Sequence, residues 1–157
     1  MNLNGYIQVR GDLCIVARDS GSGEVVRRIE IRNKVLTAGV QLLADLLSYP
    51  TAVADGRIRE VQLGTSSTAP TIGDTAITAP VSVPLTGTVS VAAGAATLKL
   101  TGTMASGTGN LVTYQEAGLF AGPTAAIMFA RQVFPGLYKT NALVLDIDWR
   151  ITFTAAP

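Results

Sequence analysis

From Leu143 to Phe153 the chain alternates without a break: Leu143, Leu145, Ile147, Trp149, Ile151 and Phe153 on one parity, Val144, Asp146, Asp148, Arg150 and Thr152 on the other. Strict period two predicts a strand with one buried and one wet face, and the odd residues are assigned to the core. Similar patterns predict strands over 6–10, 12–18 and 25–31, the latter two separated by a turn at Asp19, Ser20, Gly21, Ser22 and Gly23. Further strands are expected over 58–63, 81–85, 88–92, 97–104, 111–120, 126–134 and 143–153, with Gly94, the group Gly107 to Asn110, Gly122 with Pro123, and Pro135 with Gly136 as separators.

One segment has helical spacing. From Thr37 to Ser48, Val40, Leu43 and Leu47 lie on one side with Leu42 and Leu46 beside them, while Gln41, Asp45 and Ser48 fall on another face. Thr37 can cap this helix and Tyr49 with Pro50 end it. So wide an apolar stripe suits a helix that plugs the open edge or end of a sheet. The expected fold is mainly β: one antiparallel β-sandwich domain spanning residues 1–157, jelly-roll-like, with a single helix at about 37–48.

Composition narrows the function classes. With 157 residues, 48% of them hydrophobic, and a mean hydropathy of +0.37, the chain can close a core. Only 15% of residues are charged and the net charge is +1, which provides no field to gather nucleic acid or an anionic membrane. Arg10, Arg18, Arg27, Arg28 and Arg32 are interleaved with Asp12, Asp19, Glu24 and Glu30, so local ion pairing on strand faces is expected in place of a polyanion site. The first residues lack the apolar core of a signal peptide, and no apolar run has the length of a membrane span; synthesis in the cytosol as a soluble protein is expected.

The chemistry on offer is sparse. There is no histidine, so the commonest general base and transition-metal ligand is missing. Cys14, the only cysteine, sits in the apolar run Leu13 to Val16 and is expected to be a core thiol. The loop from Gly64 to Pro70 follows a strand, but no Gly-Lys-Ser/Thr ending or helix follows, so a phosphate loop is rejected in favour of a structural turn. Asp146 and Asp148, two apart on a strand, project to one face roughly 7 Å apart, a spacing open to a glycosidase pair or a calcium ion, with Arg150 on the same face. An ion-paired outer face or a subunit contact is the simpler account. Glu116 is the other carboxylate of interest, and it has no carboxylate companion nearby in sequence. Neither catalysis nor a metal or cofactor is expected.

The order of several segments is distinctive. An opening meander runs into Arg32-Asn33-Lys34-Val35 and the helix at Thr37; Val61-Gln62-Leu63-Gly64-Thr65 and Asp74-Thr75-Ala76-Ile77 follow. Then come Glu116-Ala117-Gly118-Leu119-Phe120, Ala130-Arg131-Gln132-Val133-Phe134 and Asp148-Trp149-Arg150-Ile151-Thr152-Phe153. Over nearly the whole chain this resembles small virion structural proteins of tailed bacteriophages, and the part around Glu116 is similar to amino-terminal attachment domains of tail fibres. The resemblance implies a virion component made in the bacterial host cytoplasm, with no enzymatic activity.

On that basis the expected role is a capsid decoration or cement subunit. Its partners would be its own copies, as a homotrimer, and the phage major capsid protein. A baseplate, neck or fibre-attachment subunit contacting tail proteins is the alternative. A carbohydrate-binding module using Tyr6, Tyr114 or Tyr138 is a further one. No nucleic acid, membrane, metal or cofactor partner is expected. The candidate interaction surface comprises Thr65, Ser66, Ser67 and Thr68, within a small-residue stretch from Thr65 to Gly109, together with Asp146, Asp148 and Arg150 on the terminal strand.

Overall fold

The structure, a computed structural model, describes residues 7–47, 56–92, 95–122 and 124–155. Among the described residues nine strands and one helix follow in order: β1 (Ile7–Asp19), β2 (Val25–Val35), α1 (Thr37–Leu47), β3 (Ile58–Gly64), β4 (Val81–Pro84), β5 (Thr86–Ala92), β6 (Ala95–Met104), β7 (Val112–Ala121), β8 (Ile127–Lys139) and β9 (Leu143–Ala155). All pair antiparallel, in the spatial order β4-β3-β7-β8-β2-β1-β9-β6-β5. The mainly β sandwich with a single helix, expected from the hydrophobic pattern, is the fold found.

Its layers are joined at two corners. β2 pairs with β1 from Gly11↔Asn33 onward, and at its other end Lys34 and Val35 pair with Arg131 and Ala130 of β8. At the opposite side β4 pairs with β3, Leu85 intervenes, and β5 pairs with β6. Only glycine at 102 admits this second corner, because a Cβ there would stand 2.5 Å from the Pro84 carbonyl oxygen and 2.8 Å from Leu85 Cδ2. The sheet is thereby nearly closed on itself, which leaves few free edges.

The terminal strand keeps the expected register. Leu145, Ile147, Trp149 and Ile151 are buried, and Asp146, Asp148 and Arg150 face outward. Trp149 is fully buried and its indole N–H donates to Asn33 Oδ1 at 2.9 Å. Space for Asn33 comes from its cross-strand neighbour Gly11, where a Cβ would lie 1.8 Å from that same oxygen. The Gly11 break expected between two strands is therefore absent: β1 runs through it, because the glycine serves packing and no turn.

Other departures have local causes. Pro135 and Gly136 do not end β8; they are taken up in a register shift between Tyr114 and Glu116 of β7, and the ladder resumes at Leu137. That shift also changes which parity of β7 faces the core, from Tyr114 to Ala117 and Leu119. Cys14 is a correction: it lies half-buried on the outer, polar face of β1, since Leu13 and Ile15 take the inward positions. Burial raises its thiol pKa, with smaller opposing effects from Arg28 and Arg150.

The helix begins with Val40 N–H bonded to the Leu36 carbonyl, which places Thr37 inside the first turn and not at the cap; the Thr37 amide donates to Ile72 O at 3.0 Å. Leu42 is the buried residue of its stripe, whereas Val40 and Leu46 are 56% and 49% exposed. Gly39 lets the helix rest on β8, with the Phe129 carbonyl oxygen 2.3 Å from where a Cβ would be. Ser48, Tyr49 and Pro50, expected to finish the helix, lie outside the described residues, as does Tyr6.

Trp149→Ala is expected to cost about 3–5 kcal/mol, since it empties a fully buried site and strands the Asn33 amide. Asp146→Asn, which loosens an exposed ion pair with Arg18, is expected to cost less than about 1 kcal/mol. Chemical denaturation of the two variants checks the order, and the reverse order would contradict the register.

Candidate functional site

Four of the quoted sequence segments converge on the outer face of the β3-β7-β8 layer. Beyond the register shift, Glu116, Gly118 and Phe120 of β7 point away from the main core, and Gly118 faces Arg131 of β8. Over this face folds the segment 65–80. Ile77 caps it, packing in a second small core with Leu36, Phe120 and Met128. Gly64 and Gly118 make room for Ile77, whose side-chain carbons would be 2.3 Å and 2.9 Å from a Cβ at those positions.

At the centre lies Glu116, fully buried and the one buried carboxylate among the described residues. Its Oε1 accepts the Ser66 amide at 3.0 Å and the Thr78 amide at 2.9 Å, which joins the two ends of the overlying segment. Its Oε2 accepts Arg131 Nε at 3.0 Å and a terminal guanidinium nitrogen at 2.7 Å. The other guanidinium nitrogen of Arg131 reaches Asp74 at 2.7 Å, and Asp74 in turn accepts the Thr71 amide at 2.9 Å and its hydroxyl at 2.5 Å. Burial works against the Arg131 charge, yet the bonds and charges of Glu116 and Asp74 outweigh it and hold the guanidinium protonated. The Thr71 hydroxyl, with lesser help from the Thr71 amide and Arg131, keeps the Asp74 carboxyl below its usual range despite burial.

Further ties hold the same segment. Thr65 N–H donates to Thr78 O at 3.1 Å, Gln115 Nε2 to Thr65 O at 3.4 Å, and Lys34 Nζ to Pro70 O at 2.9 Å. Of the candidate loop residues, Thr65 and Ser66 thus form its anchored base, while Ser67 and Thr68 are exposed. Sequence reading singled out Glu116 but not Asp74 or Arg131. The available signal was the short separator between the strands predicted over 111–120 and 126–134, which puts positions 116 and 131 on neighbouring strands; nothing local announced Asp74.

Asp146, Asp148 and Arg150 stand on the other layer. Arg18 Nε donates to Asp146 at 3.0 Å and the Thr103 hydroxyl does so at 3.0 Å. Asp148 pairs with Lys99 at 3.1 Å and with Arg150 at 3.1 Å. Burial pushes the Asp148 carboxyl up, but Arg150 and Lys99 prevail and hold it low, so it stays ionised and paired. Arg10 with Asp12 and Arg28 with Glu30 complete a lattice of ion pairs along an open groove of about 1090 Å³. The expected interaction surface is therefore split: the residue 65–68 loop lies on one layer and the Asp146–Arg150 face on the other, and the groove that Asp146, Asp148 and Arg150 line includes none of residues 65–68.

Two other features complete the inventory. Lys139 is fully buried at the far end of β8, its ammonium donating to Ser106 O at 3.2 Å, Asn110 Oδ1 at 2.9 Å and Thr140 O at 3.0 Å; burial lowers its pKa. It organises the 105–110 turn, to which the Tyr114 hydroxyl also donates, at Gly109 O. Tyr114 is thus an internal residue and no sugar platform, whereas Tyr138 is 53% exposed. Beneath α1, an apolar cleft of about 510 Å³ is lined by Leu42, Leu46, Ile58, Leu98, Phe129 and Phe153, among others. Among the described residues no group of three or more potential ligands could hold a metal ion. No protein family model, curated protein or solved structure matches the chain.

Glu116→Gln is expected to destabilise the fold by about 3–5 kcal/mol, because Arg131 keeps its charge in a buried site, and to expose segment 65–80 to limited proteolysis. Asp148→Asn, on the half-open face, serves as the control at under about 1 kcal/mol. Because the folded Asp74 pKa lies below the unfolded value, its contribution is complete above about pH 4 and is lost as pH falls through the folded value. Proteolysis within segment 65–80 should therefore accelerate below about pH 4 in the parent protein. In Asp74→Asn it should be fast at neutral pH and change less on acidification.

Proposed function

We propose that this chain is a non-enzymatic structural subunit acting through protein–protein contact, and specifically a capsid decoration or cement protein of a tailed bacteriophage virion. One observation carries the non-enzymatic part. Glu116, the one buried carboxylate among the described residues, has both oxygens consumed by two amides and a guanidinium that hold the fold together. The Asp146 and Asp148 pair is likewise tied up by Arg18, Lys99 and Arg150 on an open face, where no water-excluding cavity would favour glycoside hydrolysis. A sugar-binding reading loses its Tyr114 platform to the interior.

The phage setting comes from the sequence segments alone. Its partners are then neighbouring copies of the chain and the major capsid protein, and its location is the virion. A nearly closed sandwich with pinned loops suits that work, since a rigid, symmetric subunit adds contact area to a lattice with little ordering cost. Tail attachment makes the same demands on the fold and differs in partner.

Deleting the gene from the phage that encodes it is the direct test. Particles that package DNA but burst on mild heating, rescued by added protein, are the expected result. Full, heat-stable heads that fail to adsorb would move the protein to the tail. Glycan cleavage by the purified chain, abolished by Asp146→Asn or Asp148→Asn, would overturn the structural reading.

A further inference from the structure

Formal charge is unevenly spread over the outer face of the β2-β1-β9-β6-β5 layer. Arg28, Glu30 and Arg32 stand on β2, Arg10, Asp12 and Arg18 on β1, and Asp146, Asp148 and Arg150 on β9. β6 carries only Lys99, already paired with Asp148, and β5 carries no charge. Toward β5 the surface turns to hydroxyls, with Thr97, Thr101 and Thr103 on β6 and the exposed Thr86, Thr88 and Ser90 on β5. Depletion of charge toward one border is the compositional mark of the centre of a contact.

That border is also a strand edge. β5 ends the sheet, and among the described residues no strand pairs with its far side. Its seven residues, Thr-Gly-Thr-Val-Ser-Val-Ala, run in unbroken register with β6 from Thr86↔Thr101 to Ala92↔Ala95. Proteins ordinarily blunt such an edge with a lysine, a proline, a bulge or extreme shortness. β4, at the other end of the sheet, has two of these, being four residues long and ending in Pro84. β5 has none.

We propose that β5 pairs antiparallel with β5 of a second copy of this chain across a two-fold axis, joining their sheets into one. Two copies of this uncharged strand carry no charges to repel each other, Arg57 and Arg59 lying beside its first residues Thr86 and Gly87, and the backbone N–H and C=O groups of its far side supply the affinity. Such a contact is isologous, so it builds even-numbered assemblies, unlike a trimer. It goes beyond the functional reading above and is tested on the isolated chain, so it stands or falls apart from the phage assignment.

The experiment is sedimentation equilibrium of the full chain, of Thr88→Lys/Ser90→Lys and of Thr88→Glu/Ser90→Glu, with circular dichroism confirming the fold. The parent should form dimers. Each variant, placing like charges across the axis, should weaken association at least about tenfold, and mixing the two should restore it. A parent that stays monomeric to about 0.1 mM overturns the proposal, as does an oligomer, trimeric or other, that both variants leave intact. Should the variants misfold, backbone amide exchange of the parent decides: protection of residues 86–92 that rises with concentration supports the pairing, and protection independent of concentration overturns it.

Discussion

A single buried ion pair governs the architecture outside the main core. Glu116 and Arg131 face outward from adjacent strands, where they would ordinarily meet water, and each is instead enclosed by a segment that they themselves hold down. Removing two charges from water costs several kcal/mol, and the cost is offset only because every oxygen of Glu116 finds a donor and Arg131 finds a second carboxylate in Asp74. Segment 65–80, with little regular structure of its own, is ordered by that requirement. The same segment shields the second small core around Ile77 and receives the first turn of α1 through Ile72.

Glycine is the steric complement of this arrangement. Gly64 and Gly118 leave the space that Ile77 fills, Gly102 admits the β4-β5 corner, and Gly11 admits Asn33 beneath Trp149. In each case the missing Cβ allows another group to approach within a distance that a side chain would forbid. Closure of the sandwich, cover of its outer layer and the polar anchor in its core therefore rest on absent atoms as much as on present ones.

The balance of buried polar groups bears on what the protein can do. Glu116, Arg131 and Lys139 are saturated by protein partners, and the carboxylates of the outer face are paired with cations. Such saturated groups rigidify a scaffold. The rigid frame then presents three different borders: an ion-paired groove, an apolar cleft beside the helix, and a neutral strand edge.

Hydrophobic periodicity alone determined the antiparallel β class, the single helix and the register of β9, because alternation over eleven residues permits one buried parity and no other. It also marked Asp146, Asp148 and Arg150 as an outer face, since their positions follow from the same parity. It could not resolve β1 at Gly11, β8 at Pro135, or the parity of β7 past Tyr114, where a glycine contact and a register shift depend on the neighbouring strand. Cys14 was misplaced for a related reason: four apolar residues in a row have no parity of their own, and only the pairing of Leu13 with Ile31 and Trp149 decides which of them face inward. Glu116 was visible as a residue but not as a site, because Arg131 reaches it from 15 positions after and Asp74 reaches Arg131 from 57 before. Tertiary structure decided that convergence, as ion pairing between distant residues leaves no periodic trace in a sequence.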